Sequence, residues 1–270
     1  MEIVVLVKHV PDATADRGFD PADHTTDRTG VDGLLSELDE YAVEEALVIA
    51  EAHSDAGAQV TALTVGPAQA ADAVKKALQM GVHAGVHVQD DALHGSDALG
   101  TSLVIAAALR KLGEERTVDL VLTGMASTDG GMSVVPAMVA ERLGLPQVTF
   151  ASEVRVARDD AGGSVTIRRD GDAASETITA QLPAIVSVTD QINEPRYPSF
   201  KGIMAAKKKP VQTWSLADLG VDPSEVGLAA SWSVVDAATK RPERSQGAVI
   251  TDEGDGGKQL VDFLATAKFV

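Results

Sequence analysis

Four short apolar runs, each separated from the next by a segment of helical period, restrict what this chain can become. The first, EIVVLVK at residues 2–8, is valine-rich and nearly continuous. A strand covered on both faces loses its in/out alternation, so such a run predicts a buried parallel strand. Runs at 59–65, 85–88 and 118–123 repeat the signal. Between them lie helical patterns: one from Ser36, with Val43, Ala46, Leu47 and Ala50 on one face, one at 68–80 and one at 97–112. Ser36 with Asp39 three residues on resembles a capping box. Strands alternating with helices imply βαβ units and a mostly parallel sheet flanked by helices, so the expected fold class is α/β.

Two regions depart from that rhythm. Residues 12–33, rich in acids, glycine and threonine, read as a long loop. After Pro146 come short alternating segments at 153–157, 164–169, 176–181 and 184–189, expected as antiparallel strands appended to the α/β unit. Beyond Ala205 no long core element is expected until 258–268. The span 210–257 scatters leucines, Trp214 and Trp232 among polar residues. It is expected as an extended C-terminal arm that packs on another chain.

Composition narrows the function classes. The chain has 270 residues, 44% of them hydrophobic, enough for a packed core, and a net charge of −17. That charge argues against nucleic acid or an anionic membrane surface as the main partner. Absence of cysteine excludes disulfides, iron–sulfur clusters and thiolate chemistry, so any redox role needs a bound cofactor. The first residues show no signal-peptide pattern and no apolar run reaches the ~20 residues of a membrane helix. The expected protein is cytoplasmic and not membrane-embedded.

The most chemically suggestive stretch is GMASTDGGMSVV, comprising Gly124, Met125, Ala126, Ser127, Thr128, Asp129, Gly130, Gly131, Met132, Ser133, Val134 and Val135. It follows a strand and runs into a helix whose first turn holds Pro136. Glycines let the backbone approach a ligand, and Ser127, Thr128 and Ser133 add hydroxyl donors. Such a turn at the carboxyl end of a strand suits a phosphate. A plain tight turn reads equally well, because neither a P-loop nor a GxGxxG fingerprint is present. Asp129 would repel a phosphate unless it turned away to cap the helix, and no lysine clamp is evident nearby.

Other constellations carry less. His83 and His87 are four apart, but Gly81 and Gly85 argue against a shared helical face, so no metal site is expected. Glu44/Glu45 and Asp90/Asp91 are ordinary pairs in so acidic a chain. The cations Arg196, Lys201 and Lys207 to Lys209 form the only concentrated basic patch, and Phe200 lies within it. That ring is either an exposed interaction anchor or a plug in the chain's own core.

These residues resemble those of a known family. NEPRYPSFKGIMAAKKK at 193–209, preceded by LPAIVSV at 182–188, is similar to the signature of electron transfer flavoprotein beta subunits. VLVKHVPD (5–12), EYAVEEAL (40–47), TVGPAQ (64–69), KALQMGVHAGVHV (76–88), VDLVLTG (118–124), RLGLPQVTFAS (142–152) and SLADLGVDPSEVGL (215–228) extend the likeness along nearly the whole chain. The resemblance implies an adenine-nucleotide-hydrolase-like α/β domain over 1–205, including a recognition loop at about 190–209, and an arm over 206–270 packing on the partner subunit. It implies a heterodimer with an alpha subunit that holds most of one FAD. Electrons would pass from acyl-CoA and other flavin dehydrogenases to a membrane quinone oxidoreductase, with no catalysis by this chain. A structural AMP would be held by Leu6, Ser36, Glu37, Leu38, Asp39, Val65 and the twelve residues of the glycine turn. Glu194, Pro195, Arg196, Tyr197, Pro198, Ser199, Phe200 and Lys201 would form the docking loop, with Phe200 where many members have leucine.

Some positions differ from the family pattern. RDGDAASE at 169–176 has alanines in place of glycines, beside Asp170, which is expected to restrain the FAD domain. Ala13 and Leu38 replace aromatics that approach the flavin elsewhere. Asp97 and Thr101 match a segment of electron-bifurcating relatives, which bind a second FAD in place of AMP, whereas Ala98 does not. AMP is the preferred expectation. A stand-alone adenine-nucleotide-binding protein is the alternative from a different class.

Overall fold

The computed structural model describes residues 1–158, 162–244, 247 and 249–270. Residues 159–161, and Ser245, Gln246 and Ala248 of the expected arm, lie outside it. The chain divides into two compact units, Met1–Asp236 and Ala237–Val270.

The first unit is built on a nine-stranded sheet. Its strands are β1 (Glu2–Leu6), β4 (Gln59–Val65), β5 (Ala84–Val88), β6 (Leu120–Gly124), β7 (Gln147–Ala157), β8 (Ser164–Asp170), β9 (Ser175–Gln181), β10 (Ala184–Val188) and β11 (Val211–Trp214). Two short strands, β2 (His9–Pro11) and β3 (Gly33–Leu35), pair with each other and close the long loop between them. The helices are α1 (Glu37–Ala52), α2 (Ala71–Met80), α3 (Ala98–Glu115), α4 (Val135–Leu143), α5 (Phe200–Ala206) and α6 (Leu216–Leu219). The second unit contains α7 (Gly256–Thr266). No helix among the described residues is long and apolar enough to cross a membrane.

Sheet order is β11-β5-β4-β1-β6-β10-β7-β8-β9, and every pairing from β11 to β7 is parallel. This bears out the α/β reading of the valine runs. In β1, Ile3 and Val5 join the core under α1 and α2, while Val4 and Leu6 join the core under α3 and α4. Both faces are covered, which is why EIVVL lacks alternation. Strand order reverses between β1 and β6: the chain builds outward through β4 and β5, then returns to β6 and builds the other way. Ligands of open α/β sheets bind outside the carboxyl ends of strands at such a reversal.

Three expectations need correction. The segment expected at 184–189 as an appended antiparallel strand is β10, which lies parallel between β6 and β7, with all five residues buried. Its run AIVSV lacks alternation, as a doubly covered strand must. The strand expected at 153–157 begins at Gln147. Its first half pairs parallel with β10 and its second half antiparallel with β8. Residues past 205 are not devoid of core elements either. β11 pairs parallel with β5, and Trp214 is buried with Leu216 in the α3 face of the core. Lys209 anchors this stretch by donating from Nζ to the carbonyls of Leu78 and Gly81 at 2.9 Å each, at the end of α2.

Candidate functional site

Local chemistry brings the glycine turn, α1 and the end of β1 together at the strand reversal. Gly124 ends β6, and a Cβ there would lie 2.7 Å from Asp39 Oδ1 and from the Leu38 carbonyl. Only glycine lets β6 run this close to the start of α1. Ser36 N donates to the Lys8 carbonyl at 2.9 Å, fixing α1 to the end of β1. The capping box does not form, since Ser36 has no side-chain cap bond to its own helix. Its hydroxyl instead accepts from Thr128 N at 3.3 Å, and Asp39 accepts from Lys8 N at 2.9 Å. The two residues join three elements rather than closing one helix.

Two carboxylates in this crevice are shifted in opposite directions. The Asp129 side chain is 5% exposed. Lys8 Nζ donates to its Oδ1 at 2.8 Å and Arg28 Nη2 to its Oδ2 at 3.0 Å. Burial alone would raise Asp129; the Lys8 charge and hydrogen bond, Ser127 and Arg28 outweigh it and hold the carboxyl well below its usual range. Asp39 has no such ion pair. Burial pushes it up to about 7, against the N–H of Lys8, the Lys8 charge and the N–H of Gly124, and the nearby Asp129 charge adds to the rise.

The expectation that Asp129 caps the helix or repels a phosphate is therefore replaced. It sits between two cations, and the lysine that the turn lacks in sequence arrives from the segment just after β1. Arg17 Nη1 adds a third cation by donating to the Thr128 carbonyl at 2.9 Å. Lys8, Arg17 and Arg28 contact the candidate turn and were missed by local sequence reading. The signal was Asp129 itself, because a carboxylate held ionised in a buried turn needs a compensating cation.

Open polar capacity remains. Among the described residues, the buried atoms Thr128 Oγ1, Thr64 Oγ1 and His9 Nδ1 have no hydrogen-bond partner. Val134, which precedes α4, makes no side-chain cap, so among the described residues no side chain caps the helix start, and Pro136 lies in that first turn as expected. Gly131 and Ser133 adopt left-handed conformations, φ 60° and 57°, which turn the chain sharply ahead of the helix. Leu6 ends β1 in this region, and Val65 ends the adjacent β4. The expected nucleotide residues thus converge at one end of the sheet.

The second expected site lies apart from the first, against α1. Arg196 forms a fork on Glu44, Nε to Oε2 at 2.7 Å and Nη2 to Oε1 at 2.9 Å, and also pairs with Glu51. Asn193 Nδ2 donates to the Tyr41 carbonyl at 3.1 Å and to Glu45 at 3.2 Å. The Glu44/Glu45 pair thus has a structural role as the seat of this loop. Ser199 caps α5 by accepting from Gly202 N at 3.0 Å. Held on this base, Tyr197 is 92% and Phe200 82% exposed, which decides against a core plug. His83 and His87 each bind backbone of or next to β4, and do not face a common ligand.

The segment carrying Asp170 is engaged within the chain. Its carboxylate accepts from Arg168 Nε at 2.9 Å and from the hydroxyls of Ser152 and Ser175.

The Asp39 shift has a measurable consequence. A proton binds folded Asp39 more tightly than unfolded, so its contribution to stability is fully present below about pH 4 and is lost as pH rises toward about 7. Denaturant titrations should show the stability of the native chain minus that of Asp39→Asn falling by up to about 4 kcal/mol across that window and staying flat above it. A constant difference from pH 4 to 8 would refute the tighter proton binding of the buried carboxyl.

Comparison with known proteins identifies the family. The electron transfer flavoprotein domain model matches residues 23–219. A Mycobacterium leprae protein named electron transfer flavoprotein subunit beta is 48% identical over 270 residues, covering 99% of each chain. A Megasphaera elsdenii protein of the same name is 34% identical, covering 97% of this chain and 96% of its own. An Acetobacterium woodii protein named caffeyl-CoA reductase-Etf complex subunit CarD is 34% identical, over 93% and 92%. With the family model spanning most of the chain and full-length relatives on both sides of it, this chain belongs to the electron transfer flavoprotein family, among the proteins named as its beta subunits.

Proposed function

We propose that this chain is the beta half of a heterodimeric electron carrier, a binding and docking subunit that makes and breaks no bonds itself. The observation that carries the reading is the glycine turn at the strand reversal. Asp129 is neutralised there by Lys8 and Arg28, and the Thr128 hydroxyl is buried without a partner. An adenosine monophosphate fits that donor set. The N–H groups opening α4 and the hydroxyls of Ser127, Thr128 and Ser133 suit its phosphate, while Leu6 and Val65 offer apolar surface to its base. Ser36, Glu37, Leu38 and Asp39 complete the crevice.

FAD, held mostly by the alpha subunit, supplies the electron-accepting and electron-donating chemistry when bound. This chain helps orient it and presents the loop bearing Phe200 to acyl-CoA and other flavin dehydrogenases. A membrane quinone oxidoreductase receives the electrons, and the carrier works in the cytoplasm. The rigid seat of Arg196 on Glu44 supports the docking role, since an exposed ring on a fixed backbone loses little freedom on binding.

A bifurcating variant, with a second FAD in place of AMP, is the competing reading. The Asp97 carboxylate caps α3 through Gly100 N and accepts from Trp232 N and Ser233 N. That occupancy supports AMP.

Nucleotides released from the purified heterodimer, made by co-expression with an alpha chain, are expected at one FAD and one AMP. Two FAD and no AMP would favour the bifurcating variant. A colourless monomer that hydrolyses ATP would favour a stand-alone nucleotide-binding protein. Phe200→Ala should leave FAD content intact and weaken dehydrogenase coupling about 30-fold, in line with a truncated aromatic anchor worth about 2 kcal/mol. Unchanged transfer kinetics would remove Phe200 from the interface.

A further inference from the structure

The long loop between β2 and β3 is fastened on both sides of the crevice. It leaves from the α1 and α2 face of the sheet, where Leu35 of β3 joins the core. On one side Arg17 Nη1 donates to the Thr128 carbonyl at 2.9 Å and Arg28 Nη2 to Asp129 at 3.0 Å, both in the turn after β6. On the other, His94 Nε2 meets Asp23 Oδ2 at 2.6 Å, and His94 lies in the connection after β5. Sheet order here is β5-β4-β1-β6, so the two fastenings flank the ends of β4 and β1, where Val65 and Leu6 stand. At this same end lie the buried, partnerless atoms Thr128 Oγ1, Thr64 Oγ1 and His9 Nδ1.

The part of the loop that carries Asp23 is folded on itself but has no core. Phe19 and Thr26 bridge antiparallel, Asp20 N donates to the Thr25 carbonyl at 2.8 Å, and Asp27 N donates to the Gly18 carbonyl at 3.0 Å. Asp23 Oδ1 accepts from the Thr25 N–H at 2.9 Å and the Thr25 hydroxyl at 2.8 Å, which leaves Oδ2 for His94. The His94 and Thr25 hydrogen bonds hold the Asp23 carboxyl down at about 2, so it is ionised and His94 Nε2 is the donor. No residue from Asp12 to Leu34 is buried. A segment without apolar burial opens at far lower cost than a strand of the sheet. The two fastenings also differ in strength. Asp129 is 5% exposed, whereas the His94 side chain is 63% exposed, and exposed pairs contribute little. The Asp23 end is the one that lets go first.

We infer that residues 12–32 are a lid over the nucleotide crevice, anchored by Arg28 on Asp129 and latched by Asp23 on His94. The inference rests on the AMP reading and adds to it how that site opens. Asp23 and His94 are positioning residues: they act through the loop, and they govern how fast a nucleotide enters and leaves. Because the latch joins two groups of the protein, weakening it opens an empty and a loaded crevice alike. Both rates then rise together, and the affinity stays where it was.

Nucleotide-stripped, FAD-loaded heterodimer charged with radiolabelled AMP provides the test. Rapid filtration times uptake of the label and its release into excess unlabelled AMP, and equilibrium dialysis gives Kd. His94→Ala removes the latch from its exposed side. It should speed release and uptake alike, each about fivefold, with Kd unchanged. His94→Gln, whose amide can still donate to Asp23, should bring both rates back near the native values. Unchanged rates in His94→Ala would overturn the lid and leave the AMP reading standing. A raised Kd with native uptake would overturn it too, since that is the loss of a ligand contact rather than of a latch. Native heterodimer that takes up no AMP would overturn the AMP reading and the lid together.

Discussion

Burying a carboxylate costs several kcal/mol unless a cation or a proton compensates it. This chain buries two within one crevice, where strand order reverses between β1 and β6. Asp129 is compensated by Lys8 and Arg28, and Asp39 by a shift that favours its protonated form. Because Lys8 follows β1, Arg28 lies in the loop closed by β2 and β3, and Asp129 lies in the turn after β6, the ion pairs draw three distant segments together. Asp39 adds α1 through Lys8 N and the neighbouring Gly124. The open end of the sheet takes its shape from these contacts.

That arrangement separates two candidate sites. The crevice gathers N–H and hydroxyl donors around a turn whose own negative charge has been neutralised, which suits a nucleotide phosphate. The loop after β10 rests on Glu44 and Glu45 of α1 and directs Tyr197 and Phe200 outward. Helix α1 serves both, with its first turn at the crevice and its middle under the loop. A change in its packing would therefore reach both sites.

Much of this was legible in the amino-acid order. Continuous valine runs announced strands covered on both faces, and the helical periods between them announced crossovers. The glycine turn stood out because its residue types match its position at a strand end. Pairing between distant segments was harder to read. β10 lacks the alternation of β8 and β9, but a five-residue apolar run does not state which strands flank it. Lys8 and Asp129 are 121 residues apart, so no local pattern joins them. Ser36 and Asp39 have capping-box spacing, yet tertiary partners outcompeted the helix for both side chains. β11 was missed because a four-residue strand with three exposed residues carries almost no periodic signal.

The central claim is that Lys8 silences Asp129 so that the turn can accept a phosphate. Calorimetric titration of AMP and of adenosine into nucleotide-stripped heterodimer, native and Lys8→Met, tests it most directly. The account predicts AMP affinity reduced at least about tenfold, a change of about 1.4 kcal/mol, with adenosine affinity unchanged, because the exposed charge acts on the phosphate alone. Equal losses for both ligands, or no loss for AMP, would contradict it.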